Sequence, residues 1–110
     1  MTFKLLSANG TLQGEVLGGA AMRRWVAVRK IEEVRLYKLD DARGGLKLVC
    51  AGGETIIGEY ASFNVLGAQV RLWRNLRNAR LYIDDKSEGL VRARNPVLPK
   101  YPKLSPKRSA

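Results

Sequence analysis

Leu46-Lys47-Leu48-Val49-Cys50-Ala51-Gly52-Gly53-Glu54-Thr55-Ile56-Ile57-Gly58-Glu59-Tyr60 holds two apolar runs divided by a glycine pair. Two such runs joined by so short a glycine-bearing turn predict a β-hairpin. Directly after it, Ser62 stands where an N-cap belongs, just before Phe63. Val65, Leu66, Ala68, Leu72, Trp73 and Leu76 then share one broad face at 100° per residue, which predicts a helix over about 62–77. Gly67 weakens that helix by about 1 kcal/mol relative to alanine and Gln69 interrupts its apolar arc, so the alternative is a strand at Val70 to Trp73. A hairpin leading into a helix sets the expected class: α+β, mainly antiparallel hairpins packed on one helix.

Upstream, Asp40-Asp41-Ala42-Arg43-Gly44-Gly45 is turn chemistry, and the alternation of Val34, Leu36 and Lys38 with Arg35, Tyr37 and Leu39 predicts a strand from about Glu33. Trp25-Val26-Ala27-Val28 reads as a short strand entered from Arg23-Arg24, with Gly18-Gly19-Ala20-Ala21 as punctuation before it. Phe3 to Leu6 and Thr11 to Val16 flank Asn9-Gly10, a strong hairpin signal. Downstream, Ala79 to Ile83 and Leu90 to Arg94 form a third expected hairpin, joined by the polar loop Asp84 to Gly89. Pro96, Pro99, Pro102 and Pro106 exclude regular structure after Asn95. The expected organisation is one domain over 1–95 and an extended, basic, proline-rich tail over 96–110.

The chain has 110 residues, 45% of them apolar and 27% charged, which is globular usage and not the composition of a disordered chain. Its uncharged stretches are far shorter than the roughly 18 residues of a membrane span. Neither a signal peptide nor an Arg-rich transit segment is read at the N-terminus. Cys50 is the only cysteine, so no internal disulfide or cysteine zinc cluster can form, and a cytoplasmic or other reducing intracellular compartment is expected. Cys50 itself lies in an apolar run, as a small buried hydrophobe does.

Histidine is absent, which removes the commonest general base, the His-dependent triads and the commonest metal ligand. The pairs Glu32-Glu33, Asp40-Asp41 and Asp84-Asp85 are sequence neighbours, which on a strand point to opposite faces. The glycine pairs match neither phosphate-loop spacing. No enzymatic activity, cofactor or metal is expected.

Charge carries the functional reading. Residues 1–60 hold nine basic and seven acidic side chains, a net +2, whereas residues 61–110 hold eleven and three, a net +8. Such asymmetry draws polyanions. Arg71, Arg74, Arg77 and Arg80 recur every third residue and wind slowly around the expected helix; Arg92 and Arg94 follow. In polyproline geometry, which repeats every three residues, Leu98, Tyr101 and Leu104 share one face and Val97, Lys100 and Lys103 another. Tyr101 is placed to stack on an unpaired base, and Lys107 and Arg108 end the basic run. The expected partner is the phosphate backbone of RNA or DNA within a larger ribonucleoprotein or nucleic-acid assembly. The alternatives are anionic lipid or peptide, and a structural subunit pairing with an acidic protein surface.

Two resemblances bear on this. Ser105-Pro106-Lys107-Arg108 resembles the Ser-Pro-basic-basic repeats of histone tails, which implies contact with the minor groove of A·T-rich DNA. The run from Arg24 to Arg74, antiparallel strands and then a helix, loosely resembles a pleckstrin-homology-like domain, which implies binding of lipid headgroups or peptides. Two strands expected after the helix depart from that pattern.

Overall fold

The structure, a computed structural model, describes residues 2–92. Seven strands, β1 (Thr2–Leu6), β2 (Leu12–Leu17), β3 (Ile31–Lys38), β4 (Gly44–Cys50), β5 (Thr55–Tyr60), β6 (Arg80–Ile83) and β7 (Lys86–Leu90), form one sheet in the order β2-β1-β5-β4-β3-β6-β7. Two helices interrupt them, α1 (Gly18–Ala27) and α2 (Phe63–Val70), and a 3-10 turn follows at Arg74–Leu76. Every neighbouring pair is antiparallel except β3 and β6, so the sheet is mixed.

Strand alternation gives the sheet one covered and one open face. Register places Phe3 opposite Val16 and Gly58, Gly58 opposite Leu46, and Leu46 opposite Leu36, a row on the covered face. The next row, Lys4, Ile57, Lys47, Arg35 and Tyr82, lies on the open face. Met22 and Val26 of α1, Leu66 and Val70 of α2, and Trp73 and Leu76 around the 3-10 turn join Phe3, Val34, Leu36, Leu46, Leu48 and Ile56 in one buried cluster. Each such side chain taken from water contributes about 1.5–3 kcal/mol. Cys50 is among them, and burial raises its thiol pKa above the ordinary value.

The α+β class and the first two hairpins match expectation, while the sheet is larger and four local readings change. Residues 18–27 are a helix, where punctuation and a strand at Trp25 to Val28 were expected: Met22, Trp25 and Val26 sit at i, i+3 and i+4, and that face packs on the sheet. Gly44 and Gly45 belong to β4 and are not a turn. A Cβ on Gly44 would stand 2.8 Å from the Phe63 Cα, so glycine there lets α2 start directly against the sheet. The helix begins as expected, with Ser62 Oγ accepting from Val65 N at 3.2 Å, but stops at Val70, ahead of the 3-10 turn. Val70 to Trp73 is therefore neither helix to 77 nor strand.

The third hairpin turns at Asp84-Asp85, both at positive φ (49° and 67°), as a two-residue turn matched to strand twist requires. The expected loop Asp84 to Gly89 is only that turn: Lys86 to Gly89 are strand β7, which takes the place expected of Leu90 to Arg94 and ends at Leu90, and beyond it Val91 exchanges backbone hydrogen bonds with Asn78 and Ala79. Asp84 Oδ1 accepts from Lys38 N at 3.0 Å and Asp85 Oδ1 from the Tyr37 hydroxyl at 3.0 Å, fastening the turn to β3. The expected boundary near residue 95 and the tail from 96 lie outside the described residues. Among the described residues, no helix is long and apolar enough to cross a membrane.

Candidate anion-binding surface

Carboxylates are confined to one part of the molecule. From Val16 to Ile31, and again from Tyr60 to Ile83, there is no Asp or Glu, and these two stretches contain α1, α2 and the 3-10 turn. The helical layer is therefore built without a negative side chain. The ten acidic residues lie instead in strands, turns and flanking loops.

There they neutralise a distinct set of arginines. Glu33 bonds Arg35 at 2.9 Å and Arg80 at 2.9 Å on the open face; Arg80's hydrogen bond, chiefly, and Arg35 hold its carboxyl below the usual range against the opposing effect of burial. Arg35 also reaches Asp85 at 3.3 Å and lies over the Tyr82 ring, 4.0 Å from its centroid. Arg43 joins Asp40 at 2.7 Å and Glu59 at 3.1 Å, and Arg29 lies 3.7 Å from Glu54.

Arg23, Arg24, Arg71, Arg74, Arg77 and Arg92 are exposed and, among the described residues, none of them is in a salt bridge. Three of them line one groove. A groove of about 400 Å³ between α1 and the 3-10 turn is lined by Arg23, Arg24, Arg74, Asn75, Leu72 and Trp73. Its two walls are tied together by one side chain: Asn75 Nδ2 donates to the carbonyls of Val26 (3.1 Å), Ala27 (3.0 Å) and Arg29 (3.2 Å) where α1 ends. Ala27 is the last residue of α1 and Arg29 lies just past its C-cap, while Val26 O also accepts from Arg29 N at 3.0 Å, so Asn75 braces the end of α1 from outside. The Arg23 guanidinium lies 5.9 Å from the Trp73 ring centroid. Trp73 is only 6% exposed, and its Nε1 is buried without an acceptor. Three arginines lining a groove with no carboxylate on its wall suit an oxyanion, which a guanidinium fork can bind through two parallel hydrogen bonds.

A second groove, of about 390 Å³, brings Arg71 at the end of α2 beside Arg92, with Glu88 also on its wall. The structure thus separates the arginines expected as one winding series. Arg71 belongs to the second groove, Arg74 to the first, Arg77 caps the 3-10 turn, and Arg80 sits in β6 committed to Glu33. Arg80 is thereby removed from the helix-borne set. Arg94, Lys100, Tyr101, Lys103, Lys107 and Arg108 lie outside the described residues.

Arg23 and Arg24 are the members that sequence reading missed. Dividing the chain at residue 60 placed them in a half that is nearly neutral, and reading Trp25 to Val28 as a strand hid their helix. The signal was the long interval between Glu15 and Glu32 without a carboxylate. Among the described residues, no group of three His, Cys, Asp or Glu side chains is arranged to hold a metal ion. No family model, curated protein or solved structure matches the chain.

Proposed function

We propose that this protein is a non-catalytic, basic accessory subunit that holds nucleic acid by its phosphate backbone, within a larger nucleic-acid or ribonucleoprotein assembly. The observation that supports the reading is the carboxylate-free helical layer, on and beside which six arginines stand without a salt bridge among the described residues, three of them around one groove. Contacts of this kind position a nucleic acid without reading its sequence. In the same reading, Arg94, Lys100, Tyr101, Lys103, Lys107 and Arg108 extend the basic surface.

Replacing Arg23, Arg24 and Arg74 together by glutamine should weaken binding to mixed-sequence nucleic acid. It should also flatten the plot of log affinity against log salt by about 0.7–0.9 for each phosphate that is no longer neutralised. Arg43→Gln, which removes an arginine already neutralised, is the control and should leave the slope unchanged. A triple variant with wild-type slope would sink the groove's role. Replacing Lys100, Lys103, Lys107 and Arg108 by glutamine in the full chain tests the tail separately. Binding to anionic vesicles but not to nucleic acid would favour the lipid alternative, and binding to neither, with an acidic protein co-purifying, the structural one.

A further inference from the structure

From the way its aromatic rings are used, we infer that the helical layer takes a double helix and not an unstacked single strand, a refinement that rests on the phosphate-backbone reading above. Proteins that hold single strands combine a basic groove with exposed ring faces on which successive bases stack. On the covered side of this sheet no aromatic ring stands exposed among the described residues: Trp25 and Phe63 are half-buried and the others are buried. Trp25 packs inward on the core, and the Arg29 guanidinium lies over it, 3.9 Å from the ring centroid. Phe63 likewise packs on the core, with the Lys38 ammonium 5.4 Å from its centroid. Trp73 and Tyr60 are buried.

What the arginines have between them is aliphatic. The exposed large apolar side chains among the described residues are all Leu or Val, and Leu72, 59% exposed, stands on the wall of the first groove between Arg71 and Arg74. A leucine offers no π-face to a base. The layer's contacts are therefore chiefly charge and hydrogen bonds from guanidinium groups to phosphate. Such binding favours the duplex, which carries one charge per roughly 1.7 Å of axis, about twice the density of one of its strands.

The test is a titration of the full-length protein, followed by fluorescence anisotropy, with a short labelled DNA duplex, the RNA duplex of the same sequence, and the separated strands of each. The expected result is duplex binding about tenfold tighter than single-strand binding at low salt, with no quenching of tryptophan emission by the single strands. The same titrations are run with Tyr101→Ala: single strands binding that variant as tightly as the duplex would overturn the inference and leave the phosphate reading standing, whereas single-strand binding lost with Tyr101 places the stacking in the tail and upholds it. Failure of every nucleic acid to bind at low salt would remove both.

Discussion

Gly58 lies under the ring of Phe3, where a Cβ would stand 2.2 Å from the ring carbon Cδ1. The position is on the covered face beside Leu46 and Phe3, so the ring occupies the space a side chain would need. Gly58→Ala should lower the urea-unfolding stability by about 1–3 kcal/mol through overpacking. Gly14→Ala, with nothing within 4 Å of the added carbon, should cost nothing measurable. Asp40 is the other residue whose chemistry is predictable alone. Hydrogen bonds from the Arg43 and Ala42 amides, chiefly, and from the Arg43 side chain lower its pKa from 3.8 to about 2. A carboxyl depressed on folding favours the folded state at every pH above its unfolded value. That contribution disappears as pH falls through 3.8 toward about 2. Thermal unfolding of the wild type should therefore fall more steeply across that window than that of Asp40→Asn.

Elements were legible where their ends carry side-chain signals. Asn9-Gly10 announced the first hairpin, and Ser62 the start of α2, where Ser62→Ala should cost about 1 kcal/mol in thermal or urea unfolding. α1 has no such mark: Leu17 occupies its N-cap without a side-chain bond and it opens on Gly18-Gly19, residues that favour turns. Its C-terminal end is braced by Asn75, dozens of residues away, which no local pattern displays. Asn75→Ala should cost about 1–3 kcal/mol. It should also loosen the groove between Arg23 and Arg74, seen as weaker anion binding than the drop in stability alone explains. The Asp84-Asp85 turn was hidden for a related reason. Two left-handed residues usually advertise themselves with glycine, whereas here bonds to Lys38 and Tyr37 hold aspartates in that conformation. The candidate site was half visible for the same cause as α1: Arg71, Arg74 and Arg92 stood in the basic half, and Arg23 and Arg24 joined them only once α1 had formed.

At the scale of the fold, segregating carboxylates from the helical layer leaves six arginines without ion-pair partners among the described residues, at a cost in mutual repulsion. Sulfate or inorganic phosphate should therefore raise the melting temperature more than chloride at equal ionic strength, because a bound anion stabilises the state that binds it. Replacing Arg23, Arg24 and Arg74 by glutamine should shrink that excess, and an unchanged excess would place anion binding elsewhere. The parallel pairing of β3 with β6 has a further consequence, in the order of assembly. β6 is reached only after β4, β5, α2 and the 3-10 turn, so during synthesis β3 is complete while the strand that covers its outer edge has yet to emerge. Val34 and Leu36 then border an open edge that can capture another chain's strand, and closing it requires a contact between residues almost fifty positions apart. Docking of the last hairpin is the expected slow step of refolding. Weakening its staple with Asp85→Ala should slow that step and increase aggregation at high protein concentration, followed by stopped-flow fluorescence and light scattering.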